Sequence, residues 1–229
     1  MKRSEINDAI TKAKNRLGEL KISLPMFGYW TPEDWEKNKL KISRIKERAL
    51  GWDVTDFGSN DFKTCGAVLF TVRNGDKNDK DYCAPYAEKY IVLDDDKEQQ
   101  IPLHYHIEKT EDIINRAGGI LLVQLYNKAK NGGIDTETDV EVYMDGVKYT
   151  VPAGEYIEIN PGNSITLEPF VYHSFCAKKG EGVLIVGEVS KVNDDSNDNI
   201  FAKRTAKYKR EIIEDESPLH LLFDEISED

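Results

Sequence analysis

The sequence predicts an all-β barrel or sandwich, preceded by helices and followed by a polar tail that packs back on it. Three observations predict it. Nine short β-rich runs, bounded by turn residues, fall between residues 67 and 190. Helical periodicity is confined to the first fifth of the chain, and the last forty or so residues are polar with scattered hydrophobes. The resulting boundaries are a helical segment over 1–52, a β-barrel over 53–190 and a C-terminal extension over 191–229, in one domain.

The elements follow in order. Ile6, Ala9, Ile10, Ala13 and Leu17 recur at three or four residues and mark one face of a helix. A second helix opens at TPEDWEKN. Thr31 suits the N-cap, Pro32 the first helical position, and Glu33 and Asp34 the positive end of the helix dipole. Its buried stripe is expected to be Trp35, Leu40, Ile42, Ile45 and Leu50, with Gly51 as the stop. Trp30, Trp35 and Trp52 read as packing residues. The β runs then follow, from AVLFTVRNG to GVLIVGEVS. Asp145-Gly146 between alternating segments signals a two-residue hairpin, and Asn131-Gly132-Gly133 and Pro161-Gly162 mark further turns. After residue 190 a long loop is expected, then hydrophobes that need burial (Ile200, Phe201, Ile212, Ile213, Leu219, Leu221, Leu222, Phe223) and a frayed ISED.

Composition excludes several classes of function. With a formal net charge of −11 the chain is a poor nucleic-acid binder, since phosphate contacts need clustered cations. Lys203, Arg204, Lys207, Lys209 and Arg210 do cluster, but EIIEDE follows at once and makes a mixed-charge face. The 3 cysteines (Cys65, Cys83, Cys176) form no CxxC pair, which points to a reduced, cytoplasmic protein. The start is amphipathic and carries acids, unlike a secretory signal, and no apolar run is long enough for a membrane span.

Histidine is scarce, with 4 in the chain, and two fall in the octapeptide HYHIEKTE over 104–111. Residues i and i+2 of a strand share a face, so His104 and His106 can chelate one ion. Glu111, after a tight connection, can add a hard oxygen ligand. A fourth ligand must come from elsewhere: His173 lies in the β run LEPFVYHSF, and His220 in the tail. Mixed nitrogen and oxygen donors suit Mn2+, Fe2+, Co2+ or Zn2+, and the carboxylate favours Mn2+.

H-x-H-x4-E with a distant histidine resembles the cupin metal site. Gly118 falls where the first cupin motif has a glycine, and Pro169 near the proline of the second. Glu98, Phe170 and Val171 stand where the motifs have glycines. The resemblance implies a cupin (jelly-roll-like) β-barrel with N-terminal helices and a C-terminal tail packed on it. It also implies His173 as the fourth ligand and leaves His220 structural.

The flanking residues narrow the family. GWDVTDFG, FTVRNG, YAEKYIVL, QQIPLHYHIEKTEDIINRAGG, GEVSKVNDDSNDN and EIIEDE together resemble the bacterial D-lyxose isomerase family, over about residues 25–217. That resemblance implies a manganese-dependent aldose–ketose isomerase that interconverts D-lyxose and D-xylulose, and D-mannose and D-fructose. It also implies a homodimer. Such chemistry needs a base for the carbon-bound proton and a second acid–base group for the hydroxyls. Lys89, a lysine inside a β run, is the first candidate. Its carboxylate partner is Glu214, with Glu188 as the alternative. Asp112 is read as support for the site. Gln100, Lys109 and Arg73 are candidate sugar contacts, whereas Tyr105 and Phe175 read as core. The same ligands would serve an Fe2+-dependent cupin dioxygenase, and a non-catalytic sugar-binding cupin is the third reading.

Overall fold

The β runs assemble into two facing sheets. The computed structural model describes residues 1–76, 84–95, 99–203 and 211–226. Helix α1 (Arg3–Glu19) comes first, then α2 (Pro32–Asn38) and α3 (Ser43–Glu47). Strands β1 (Gly51–Thr55), β2 (Ala67–Arg73), β3 (Tyr86–Leu93), β4 (Gln100–His106), β5 (Glu111–Gly118), β6 (Leu121–Lys128) and β7 (Ile134–Asp135) follow. Next come β8 (Val140–Met144), β9 (Val147–Val151), β10 (Tyr156–Ile159), β11 (Ser164–Leu167), β12 (Val171–Ala177) and β13 (Leu184–Lys191). Helix α4 (Asp195–Asp198) and strand β14 (Asn199–Phe201) close the series.

One sheet has the order β1-β2-β3-β13-β5-β11-β8-β9, and the other β10-β6-β12-β4-β14 with β7 beside β6. Every strand pairing is antiparallel. Alternate side chains of both sheets meet inside. Ile91, Leu93, Ile113, Ile165, Leu184 and Val186 come from the first, and Ile101, Leu121, Val123, Leu125, Phe175 and Ala177 from the second. This is the expected jelly-roll-like barrel. Asp145 (φ 48°) and Gly146 (φ 80°) make the predicted two-residue turn between β8 and β9.

The inner face changes character along its length. On β3 and β13 the inward positions run from Leu93, Leu184 and Val186 to Lys89, Glu188 and Ser190, and on β5 Glu111 lies level with Ser190. One half of the barrel is therefore largely apolar and the other carries buried charge.

Strand β4 crosses that divide with a bulge. His104 pairs with His173, but Ile101 pairs with Phe175, so β4 spends one more residue than β12 between those points. The extra residue lies at Pro102–Leu103, where proline's missing N–H is tolerated. Strict alternation would put Ile101 and His104 on opposite faces. The bulge puts both inside.

The helices cover the outer face of the first sheet. Ile6, Ile10, Ala13 and Leu17 of α1 pack with Trp52, Val54, Val68, Phe70 and Val92. The predicted cap on α2 is present: Thr31 Oγ1 accepts the Asp34 N–H at 3.3 Å, and the Asp34 carboxylate accepts the Thr31 N–H at 3.2 Å. The predicted length of that helix is not what forms. It ends at Asn38, passes through a 3-10 turn (Lys39–Lys41) and restarts as α3. A 3-10 turn advances each residue by more than an α-helix does, which rotates Leu40 out of the stripe. Leu40 is 95% exposed while Ile42 stays buried.

The tail packs back as expected. Leu222 joins the α1 cluster and pairs with Trp52, and Ile226 packs with Trp35 and Ile42. Arg3, buried in α1, pairs with both Glu214 and Glu225. Two expectations for the tail need correction. Ile213 and Leu219 are exposed. The segment after β13 is not all loop, because α4 and β14 form there and β14 pairs with β4. Residues 227–229 of ISED, most of the basic cluster and Cys83 lie outside the described residues. Among the described residues, no helix is long and apolar enough to cross a membrane.

Candidate active site

Three imidazoles meet at the polar end of the barrel. Strand β4 supplies His104 and His106, and His173 comes from β12 directly opposite His104. All three are buried, and one ring nitrogen of each lies within 4.8 Å of the others. The backbone sets two of the ring orientations. His104 Nδ1 contacts the Pro102 carbonyl oxygen at 2.8 Å, and His173 Nδ1 that of Val171 at 2.9 Å. Each ring is thereby left with Nε2 for the interior.

Glu111, first residue of β5, faces the cluster. Its Oε1 lies 3.3 Å from His106 Nε2 and 3.1 Å from His173 Nε2. Both nitrogens are buried and neither makes a well-aligned hydrogen bond. Buried imidazole nitrogens without such partners, converging beside a carboxylate, are the donor set a divalent ion uses. Burial first, then the neighbouring His173 and His106, holds the His104 imidazole well below its ordinary pKa and so neutral. Burial would raise the Glu111 carboxyl. Lys109, then His106 and His173, outweigh it and hold Glu111 well below the usual carboxylate range. A neutral imidazole at His104 and an ionised carboxylate at Glu111 are the forms in which these groups bind a metal.

A chain of charge leads away from the cluster. Glu111 Oε2 accepts Lys109 Nζ at 2.9 Å, and the same ammonium donates to Glu188 Oε1 at 2.9 Å. Glu188 sits on β13 between Lys89 on β3 and Ile113 on β5. Ser190 Oγ also donates to Glu188 Oε1 (3.2 Å), and Lys89 Nζ lies 3.8 Å from it. Lys89 Nζ donates to Asn193 Oδ1 at 2.6 Å. Lys89, Lys109, Glu111 and Glu188 are all buried. Phe201 on β14 stacks on His104, with ring centroids 5.3 Å apart, and Phe57 packs against Phe201.

The structure thus brings together His104, His106, His173, Glu111, Lys109, Glu188 and Lys89. It places three other candidates elsewhere. Glu214 is exposed and held by Arg3, whose buried guanidinium needs an anion there. Arg73 is exposed at the end of β2 and pairs with Glu88. Gln100 is exposed at the start of β4, on the far side of the bulge from the histidines. Asp112 points outward to Thr166. Tyr105 packs on Tyr172 and Phe170, and Phe175 lies in the core. His220 contacts the Trp30 carbonyl and Lys14, away from the cluster. Asn193, Ser190 and Asp198 join the site without having been picked out. All three lie in GEVSKVNDDSNDN, whose polar composition gives no spacing signal.

Comparison with known proteins shows the family. A family model described as D-lyxose isomerase matches residues 1–226. A D-lyxose/D-mannose isomerase of Serratia proteamaculans is 41% identical over 224 residues, 97% of this chain and 96% of that protein. One from Escherichia coli O157:H7 is 40% identical over 223 residues, again 97% and 96%. Among solved structures, an L-ribose isomerase variant from Acinetobacter sp. DL28 in complex with L-ribose aligns with TM-score 0.59 and 14% identity, covering 90% of this chain and 94% of that one. The L-ribose isomerase of Cellulomonas parahominis gives TM-score 0.59 and 16% identity with the same coverage. The structural likeness carries the fold; the near-full-length matches carry more, and by them the chain belongs to the D-lyxose isomerase family, a family of sugar isomerases.

Proposed function

We propose that this chain is a metal-dependent isomerase interconverting D-lyxose with D-xylulose, and D-mannose with D-fructose, through an enediol. The observation that carries this reading is the buried line of Lys109, Glu188 and Lys89 beside the three-histidine, one-glutamate cluster. His104, His106, Glu111 and His173 would hold the ion, taken as Mn2+ with Co2+, Fe2+ and Zn2+ as alternatives. When bound, the ion supplies Lewis-acid polarisation of the sugar's carbonyl and hydroxyl oxygens.

The side chains move the protons. Glu188 takes the proton from C2 of the aldose, the C–H electrons form the C1–C2 double bond, and the carbonyl oxygen gains a proton. Return of the proton to C1, with loss of the C2 hydroxyl proton, completes the ketose. A carboxylate is an acceptor, so Glu188 suits the carbon acid. Lys89 and Lys109 are donors, so they suit the oxygens. Lys89 therefore keeps an acid–base role, but its carboxylate partner becomes Glu188 in place of Glu214. A homodimer in the cytoplasm, with a free sugar as its small-molecule partner, belongs to the same reading.

An anaerobic assay tests it. Protein stripped of metal should be inactive, and restoring divalent ions one at a time should restore turnover of D-lyxose and D-mannose, most with Mn2+. A His104→Ala variant should bind Mn2+ far more weakly by calorimetry and stay inactive. No interconversion with any ion would sink the reading, turnover only with oxygen would favour the Fe2+-dependent dioxygenase, and native metal affinity in the variant would sink the ligand set.

A further inference from the structure

The short connection between β4 and β5 carries much of the site. Residues 107–110 hold Lys109 and separate His106 from Glu111. A loop this short still has backbone donors to satisfy, and they turn towards one buried residue beyond the barrel. Asp198, last residue of α4, accepts from three successive amides. Its Oδ1 takes Ile107 N–H at 2.9 Å and Glu108 N–H at 2.7 Å, and Oδ2 takes Lys109 N–H at 3.1 Å. The Asp198 backbone oxygen also accepts the Ile107 N–H, at 3.2 Å. The carboxylate is buried at 5% exposure.

The same Oδ2 lies 3.9 Å from His106 Nδ1. That distance is too long for a hydrogen bond, and His106 Nδ1 is buried with no hydrogen-bond partner. His104 and His173 each have a backbone carbonyl at Nδ1; His106 has this carboxylate nearest to hand instead. A metal-bound imidazole commonly gives its other N–H to such an oxygen, which fixes the ring's orientation. Immediately after Asp198, β14 pairs Asn199 with His106 and Phe201 with His104.

We propose that Asp198 is a positioning residue of the site. It clamps the 107–109 amides, which sets Lys109 and Glu111, and it takes the Nδ1 proton of His106 in a hydrogen bond when Nε2 binds metal. The inference rests on the metal-dependent isomerase reading for its catalytic consequence, but not for its metal-binding consequence.

Asp198→Asn is the direct test, because it keeps the shape and removes one acceptor and the charge. Mn2+ affinity by calorimetry and kcat are each expected to fall about 10- to 100-fold, with the sugar KM little changed. Amide exchange at Ile107, Glu108 and Lys109 is expected to speed up. Asp145→Asn is the control. Asp145 makes a comparable clamp on Asn163 and Ser164 at the distant β8–β9 turn, so its loss should leave metal affinity and kcat alone.

If the two variants melt alike and neither changes metal affinity, Asp198 is an ordinary turn clamp and the proposal falls. If Asp198→Asn does not fold, the unaltered protein decides: metal loading should slow exchange at Ile107, Glu108 and Lys109 together, and no change on loading overturns the proposal. An inactive parent whose metal affinity still drops in Asp198→Asn would sink the isomerase reading and leave the positioning role standing.

Discussion

Glu188→Gln is expected to lower kcat by about 10²- to 10⁴-fold, the range lost with a general base. The sugar KM should change little. The substitution is nearly isosteric, and the amide oxygen can still accept from Lys109 and Ser190, which now donate to Glu188 Oε1. Lys109 also keeps Glu111 at 2.9 Å, and Lys89 keeps its hydrogen bond to Asn193 Oδ1 at 2.6 Å. The fold and the metal should therefore survive, which melting and metal titration check. What disappears is the only carboxylate of the buried charge line that does not also face the histidines. Solvent-exchange measurements sharpen the test, because the variant should also stop washing deuterium from C2 of the aldose. A kcat within about tenfold of the parent would remove Glu188 from the proton path.

Gly118→Ala is expected to destabilise the protein by about 4 kcal/mol. Gly118 ends β5 with φ 92°, a conformation that costs a residue with a side chain about 1–3 kcal/mol. A Cβ there would lie 2.0 Å from the Val183 carbonyl oxygen and 3.1 Å from its carbon. Those are backbone atoms at the mouth of β13, so no side chain can swing away, and overpacking adds about 1–3 kcal/mol. At this chain length the loss corresponds to a fall in melting temperature of roughly 8–16 °C. A fall below about 3 °C would show that the β5–β13 contact relaxes more freely than its geometry indicates.

Much of the architecture was legible because burial there follows simple periods. Helix α1, the start and cap of α2, the Asp145-Gly146 hairpin and most strands were read from spacing and turn chemistry. Strand β5 was not, because it turns Glu111 and Asn115 inward along with Ile113. A strand with polar residues on its inner face shows no hydrophobic alternation: Glu111 belongs to the site, and Asn115 donates to the Gly119 and Ile159 carbonyls. Strand β14 was missed for a different reason. It is three residues long and takes its order from pairing with β4, a tertiary cause that composition does not reveal.

The site divides in the same way. His104, His106, Glu111 and His173 stood out by residue type and spacing, and Lys89 by being a cation in a β run. Glu214 was chosen from a stretch that carries the family resemblance, but resemblance does not say which neighbour a side chain meets, and Arg3 claims it. Asp198 acts through backbone amides of a distant loop, a contact with no signature in either segment.

The bulge at Pro102–Leu103 means that β4 obeys two rules in succession. Up to Ile101 its inward positions answer to shape and volume; from His104 they answer to coordination, and the spare residue is the joint between the two regimes. Such a joint insulates each half from the other's tolerances. Repacking around Ile101 can be absorbed at the joint before it tilts an imidazole. Removing one residue there would abolish the joint without turning the ligands out: Ile101 and the first histidine would stand two apart on the same inner face, and any misfit around Ile101 would then pass straight to the imidazoles.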